Sequence, residues 1–290
     1  MLSKMFGRIL IFFTGLFIGV FYLFSNKAQA FHINDHGLIT SVAVAEYNAC
    51  DPAYAFSPAD TTKLKAANLD EDLNILRKWV TYSHYYNPTK HLDMSRKDSS
   101  VRVSELEIEL LPHLMVGPPP FQLSRADILR LMGHAIHHLQ DMAVPAHVVP
   151  ISHRFSENFE LMTAKTSDWD AHTSMTDCGA LLNAPSLDLL DLLKEYANLT
   201  LLRLQYSFEY ERDHAHETGN WGLFWKPSDG LSFGNYGAAG DHFGLATFTH
   251  GDHKFRLNPL LYEQFHHEQL RRAIEATKRA LYWMNHQHQF

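Results

Sequence analysis

The segment from Ser124 to Met142 constrains this chain more than any other. Ile128, Met132, Ala135, Leu139 and Met142 recur with a clean 3.6-residue period, the pattern of one helical face. Ser124 and Asp127 form a variant capping box at its start, and Pro145 ends it. On the side away from the apolar stripe stand His134, His137, His138 and Asp141. His137 and Asp141 are four apart, so their side chains leave one face about 6 Å apart along the axis. That spacing suits two ligands on one metal ion.

The pattern continues past the helix. His147 follows Asp141 by six residues across Pro145, and His153 and Glu157 make a second pair four apart at the start of the next helix. His137, Asp141, His147, His153 and Glu157 put five nitrogen and oxygen ligands on one helix–turn–helix, a strong zinc pattern. The plain alternative is a histidine-rich solvated face. All 20 histidines of the chain lie after residue 30, which also points to metal chemistry.

Residues 1–30 read as a secretory signal peptide. Lys4 and Arg8 form a basic head, Ile9 to Phe24 an apolar stretch, and the segment closes on Ala28-Gln29-Ala30. Cleavage is expected between Ala30 and Phe31, giving a secreted chain; an uncleaved anchor is the alternative, since the apolar stretch almost reaches the roughly 20 residues needed to span. Loss of Lys4, Arg8 and Lys27 leaves 22 basic against 32 acidic residues, so the net charge moves from -7 to -10. An acidic chain argues against general affinity for nucleic acid or anionic lipid, and no stable nucleic acid partner is expected. Two cysteines, Cys50 and Cys178, could bridge in an oxidising compartment.

Residues 31–290 read as one all-α domain. Further helices are expected from His36 to Tyr47, from Ser57-Pro58 toward Trp79, from Ser186 to about Arg212, and from Asn258-Pro259 to about Asn285. Leu111 to Leu123, with its prolines, reads as a connection. Trp221 to Phe255, rich in glycine and aromatics, reads as a long ordered loop or a minor β-piece. Its aromatics, from Trp221 to Tyr236, either dip into a lipid interface or pack on their own protein.

His137-x3-Asp141-x5-His147, followed by His153-Arg-Phe-Ser-Glu157-Asn158-Phe159, resembles the bacterial zinc-dependent phospholipase C family. More distantly it is similar to the secreted zinc nucleases specific for single strands. Ser83-His84-Tyr85-Tyr86-Asn87-Pro88 matches an upstream motif of that family and places His84 at a zinc ligand's position. The resemblance implies an all-α protein holding three zinc ions. It further implies an Asp about fourteen residues before His84, which lands on Asp70, with Glu71 and Asp72 as close alternatives. The main chain of the first mature residue, Phe31, would chelate one zinc beside His36, with His32 competing; His172 stands in reserve for His153. Asp141 would bridge ions, and Asp70 would act as general base toward water.

What this implies is a secreted phospholipase C acting on phospholipid at a membrane surface. A secreted zinc nuclease or nucleotidase is the alternative enzyme, and an exported zinc-binding protein the alternative without catalysis. His134 and His138 fall outside the motif and are expected to matter less. The sequence leaves head group and oligomeric state open.

Overall fold

A computed structural model describes residues 33–73, 83–89, 97–114, 123–151, 157–162, 177–185, 187–227 and 233–286. In chain order its α-helices are α1 (Ile33–Cys50), α2 (Pro58–Leu73), α3 (Ser99–Leu114), α4 (Arg125–Asp141), α5 (Pro145–Val148), α6 (Asn158–Leu161), α7 (Cys178–Leu182), α8 (Leu189–Leu204) and α9 (Pro259–His286). The strands are β1 (Ser207–Arg212), β2 (Ala215–Asn220), β3 (Trp225–Lys226), β4 (Asn235–Tyr236), β5 (Thr247–His250) and β6 (His253–Arg256).

The all-α expectation is therefore overturned: the architecture is mixed. Four strands form an antiparallel sheet in the order β2-β1-β6-β5, and β3 pairs with β4 in a second small sheet. The helix expected from Ser186 to Arg212 is cut short at Leu204, with Asp188 as its cap, and the chain turns into β1. Within β1 only Phe208 and Tyr210 point inward, and β2 carries no large apolar side chain. The β1–β2 turn is Asp213-His214, both at positive φ (51° and 71°), so a two-residue hairpin forms without the usual glycine cue.

Helix α4 is the centre of the fold. Ser124 Oγ accepts from the Asp127 backbone N–H, as the capping pattern requires, and α1, α2, α3, α8 and α9 all pack on this helix. Every residue from Leu131 to Ile151 is buried, so the polar face of α4 meets protein rather than water. Gly133 explains how closely α2 can approach: a Cβ there would lie 2.6 Å from the Leu64 carbonyl oxygen and 2.7 Å from Ala67 Cβ. Any side chain at 133 would push apart the two helices that carry the polar cluster described below.

Cys50, at the end of α1, is disulfide-bonded to Cys178, at the start of α7. The bridge spans 128 residues, and in the chain-entropy model a loop that long contributes about 5 kcal/mol. No helix among the described residues is long and apolar enough to cross a membrane. Residues 1–30 and the proposed cleavage site lie outside the described residues.

The aromatics of the glycine-rich segment turn inward. Trp221, Phe224 and Trp225 are buried against Phe243, Phe159, Tyr262 and Phe265, so this trio packs on its own protein rather than projecting from the surface.

Candidate metal centre

Three helices and one short turn bring a polar cluster together beneath the surface. Helix α1 supplies His36, α2 supplies Asp72, and α4 supplies His137, His138 and Asp141. His84 arrives on the segment 83–87. That segment is pinned from both sides, since the Tyr86 N–H donates to the His147 carbonyl and the Ser99 N–H to the Tyr85 carbonyl, each at 3.0 Å.

Asp141 is the hub. Its Oδ2 lies 2.9 Å from His84 Nδ1, 3.4 Å from His137 Nε2 and 3.5 Å from His147 Nδ1, and its Oδ1 lies 3.6 Å from His36 Nε2. Burial alone would raise the Asp141 carboxyl, but the imidazoles of His137, His147 and His84 outweigh it and hold the group well below the usual carboxylate range. It is a buried carboxylate anion ringed by nitrogen donors. Burial in turn pushes His137 and His138 well below the ordinary imidazole range, despite the nearby carboxylates.

A polar layer behind the cluster sets which nitrogen each ring presents. Gln140 Oε1 is 2.7 Å from His36 Nδ1, and Asn68 Oδ1 is 3.2 Å from His137 Nδ1. Both rings therefore turn Nε2 toward Asp141. Gln140 Nε2 donates to Thr40 and Thr277, and Asn68 Nδ2 donates to Thr40 and to Gln140 Oε1. Such outer partners fix the orientation and tautomer of metal-binding histidines. Sequence patterning missed Gln140 and Asn68. Gln140 precedes Asp141 directly and Asn68 lies four before Asp72, but nothing about an amide in a helix marks it in advance.

The nine residues singled out from the sequence fare differently. His36, His84, His137 and Asp141 converge. Phe31 and His153 lie outside the described residues, as do the reserve candidates His32 and His172. Asp70 is exposed, and the carboxylate that reaches the cluster is Asp72, with Oδ2 4.0 Å from His36 Nε2 and Oδ1 3.9 Å from His137 Nε2. The reason is helical geometry: Asn68 and Asp72 are four apart and share a face, whereas Asp70 is turned to the opposite side. Glu71 takes a third direction, bonding Arg102 at 2.8 Å and facing His134 Nδ1 at 3.1 Å.

His147 sits at the cluster's rim, between Asp141 and Glu160, whose Oε1 is 3.4 Å from its Nε2. Burial lowers this imidazole, but Asp141 and then Glu160 outweigh burial and push it up to about 10. Glu157 is buried close by, yet its Oε2 accepts from Trp225 Nε1 at 3.0 Å and from the Tyr236 hydroxyl at 3.3 Å. The Asn158 N–H donates to Asp241 Oδ1, and Phe159 sits in the aromatic core. Glu157-Asn158-Phe159 thus joins the neighbourhood of the polar cluster to the β-part.

The donor set fits a metal. Three overlapping groups hold ligand atoms within 4.8 Å of one another: His36, His137 and Asp141; Asp72, His84 and His137; and His84, His138 and Asp141. His84 Nε2, Asp141 Oδ1 and both ring nitrogens of His138 are buried without a hydrogen-bond partner among the described residues. Leaving such groups unsatisfied costs about 1–3 kcal/mol each, and more for a charged one. Imidazole nitrogens with carboxylate oxygens are the donors that zinc takes. The arrangement is a candidate multi-metal centre of a kind found in hydrolases. Comparison with family models, curated proteins and solved structures finds no match for this chain.

Proposed function

We propose that this chain is an exported, zinc-dependent phosphodiester hydrolase of the phospholipase C type. It would cut phospholipid between glycerol and phosphate, releasing diacylglycerol and a phosphorylated head group. The observation that carries the reading is the convergence of His36, Asp72, His84, His137 and Asp141 in one buried cluster, from four separate stretches of the chain.

Bound zinc ions, three by the sequence resemblance, would supply positive charge for the phosphoryl oxygens and lower the pKa of water to about 7. The rest falls to the chain's own groups. Asp141, with Oδ1 nearest His36 and Oδ2 nearest His84, would hold bound ions and offset their charge. Gln140 and Asn68 keep the His36 and His137 rings aimed. Asp72 takes the role first given to Asp70, a carboxylate beside the reacting water that can accept its proton. His147 and Glu157, with His153 and the Phe31 main chain, would complete the ligand set.

Two observations favour lipid as substrate. A cavity of about 280 Å³ has apolar walls from Val148, Val149, Leu201, Leu204 and Trp225. Those walls ride on the ligand-bearing segments, since Val148 directly follows His147 and Asn87, also at the cavity, lies three after His84. Apolar walls and a mature charge of -10 suit an acyl chain better than a polyanionic strand. The five-residue step from Phe31 to His36 favours the nuclease as the second reading.

The test is zinc-replete protein assayed on phosphatidylcholine, on other phospholipids, and on single-stranded DNA and RNA. Zinc-dependent release of phosphocholine is the expected result. Nucleotide release without lipid cleavage would replace the reading with the nuclease, and activity toward neither would leave a zinc-binding protein.

A further inference from the structure

We propose that His138 is a metal ligand, and that the described side chains build two metal positions sharing only Asp141. One position is His36, His137 and Asp141, with Asp72 beside them; the other is His84, His138 and Asp141. The inference rests on reading the cluster as a metal-dependent hydrolase site, and goes beyond it, because the motif spacing gives His138 no role.

Helix geometry puts His138 in place. Residues 134, 137, 138 and 141 follow the i, i+3, i+4, i+7 rule, so all four share one face of α4. His134 and His138 then part ways. His134 Nδ1 faces the Glu71 carboxylate at 3.1 Å, which accounts for a buried imidazole there. His138 is wholly buried, and neither of its nitrogens makes a hydrogen bond. It packs on two rings, tilted against His84 and edge-on to His137, each with centroids 5.5 Å away. Ring packing leaves both nitrogens unanswered, and a metal answers one.

Counting nitrogens selects the pairing. His36 and His137 each spend Nδ1 on a fixed amide, so each has one nitrogen for one ion. The group Asp72, His84 and His137 takes one ring from each of the other two groups and competes with both. The remaining two groups can be filled together, because they have no imidazole in common. Asp141 faces both groups, with Oδ1 at 3.6 Å from His36 and Oδ2 at 2.9 Å from His84 and 3.4 Å from His137. In the group His84, His138 and Asp141, both imidazoles also retain buried nitrogens with no hydrogen-bond partner among the described residues. The ligand class is a borderline divalent cation such as zinc.

The experiment measures metal directly in the full chain. Zinc content of purified wild type, His138→Phe and His134→Phe is taken by mass spectrometry, with the visible spectrum of each cobalt-substituted protein. His138→Phe keeps the ring volume and should bind one ion per chain fewer, with at least 100-fold weaker affinity at that position and an altered cobalt spectrum. His134→Phe should keep the full complement. In parallel, wild type loaded with cadmium-113 should show scalar coupling from cadmium to a His138 ring nitrogen, a readout that needs no variant to fold. Full zinc content and an unchanged cobalt spectrum in His138→Phe, or absence of that coupling, would overturn the ligand assignment and leave the hydrolase reading intact. A wild type holding no tight zinc would overturn both. Zinc held by His138 without hydrolysis of any phosphodiester would retire the hydrolase reading alone.

Discussion

The four-stranded sheet and the face of α4 are both rich in histidine and acid, yet they treat those residues in opposite ways. His214, His216, His250 and His253 on the sheet and its turns are exposed, and the Asp213–His253 pair at 2.6 Å stands in water. On α4, His134, His137, His138 and Asp141 are buried beneath other helices. An exposed pair is solvated whether or not its partner is present, and contributes little to stability. A buried imidazole must find a proton donor, an acceptor or a metal. Histidine count alone does not mark a candidate metal site; burial with polar atoms left over is what sets the α4 cluster apart.

The contrast is broken most severely at Asp141. Asp141→Asn keeps the shape and removes the charge shared by four imidazoles, so zinc affinity should fall at least 100-fold and hydrolysis with it. Isothermal titration with zinc and the phosphatidylcholine assay check this. Normal binding by the variant would mean that the hub is elsewhere.

Glu107 sharpens the contrast between buried and exposed carboxylates. It is buried, its Oε2 accepting from the Leu190 N–H at the start of α8. Burial, then the nearby Asp188 charge, raises its carboxyl from 4.5 to about 7. Exposed Asp213 shifts the other way, lowered by the Lys254 N–H and by His253. Because folded Glu107 holds its proton more tightly than the unfolded chain does, its contribution is fully present below about pH 4.5. It is lost as pH rises toward about 7, a change of order 3 kcal/mol. Glu107→Gln should remove that loss. Urea melts of both proteins from pH 4.5 to 7.5 should show the variant gaining relative to wild type as pH rises; parallel curves would refute this.

Gly133→Ala tests the close helix crossing under the cluster. The added methyl overlaps the Leu64 carbonyl, so stability should drop by about 1–3 kcal/mol, with weaker zinc binding as α2 shifts from α4. Gly244 on the β-side has open space for a Cβ, so Gly244→Ala should cost only the strain of its positive φ. Thermal melts of the two variants compare the regions directly.

Gln140→Leu leaves the ligands in place and removes the groups that aim and pair them. Zinc affinity should fall 10–100-fold, about 1.4–2.7 kcal/mol, by competition with a chelator. Loss of stability with unchanged affinity would make Gln140 a packing residue only. The smallest effect belongs to the sheet: His253→Ala should change stability by under about 0.5 kcal/mol and leave zinc binding untouched.

Much of the helical frame was legible because its signals are local. The caps at Ser57 and Ser124, the stripe from Ile128 to Met142 and the start at Pro259 each depend on residues within a few positions, and each helix begins where they say. The strands were less legible: the segment from Trp221 to Phe255, which reads as a loop or a minor β-piece, holds β3, β4, β5 and most of β6, while β1 and β2 fall where helix or no element is expected. β5 and β6 each turn one aromatic inward, Phe248 and Phe255, which is too little alternation to stand out from a loop.

The sequence by itself determined that His137 and Asp141 share a helical face and that His147 follows across a proline turn. Those relations are set by 3.6 residues per turn and by a ring that stops a helix. Only the tertiary structure decided that Asp72 rather than Asp70 reaches the cluster, and that Glu160 faces His147 while Glu157 meets Trp225. It alone buried His138 beside His84. Each of these depends on how far one segment rotates against another, a quantity fixed by contacts such as Gly133 against Leu64 that no local spacing encodes.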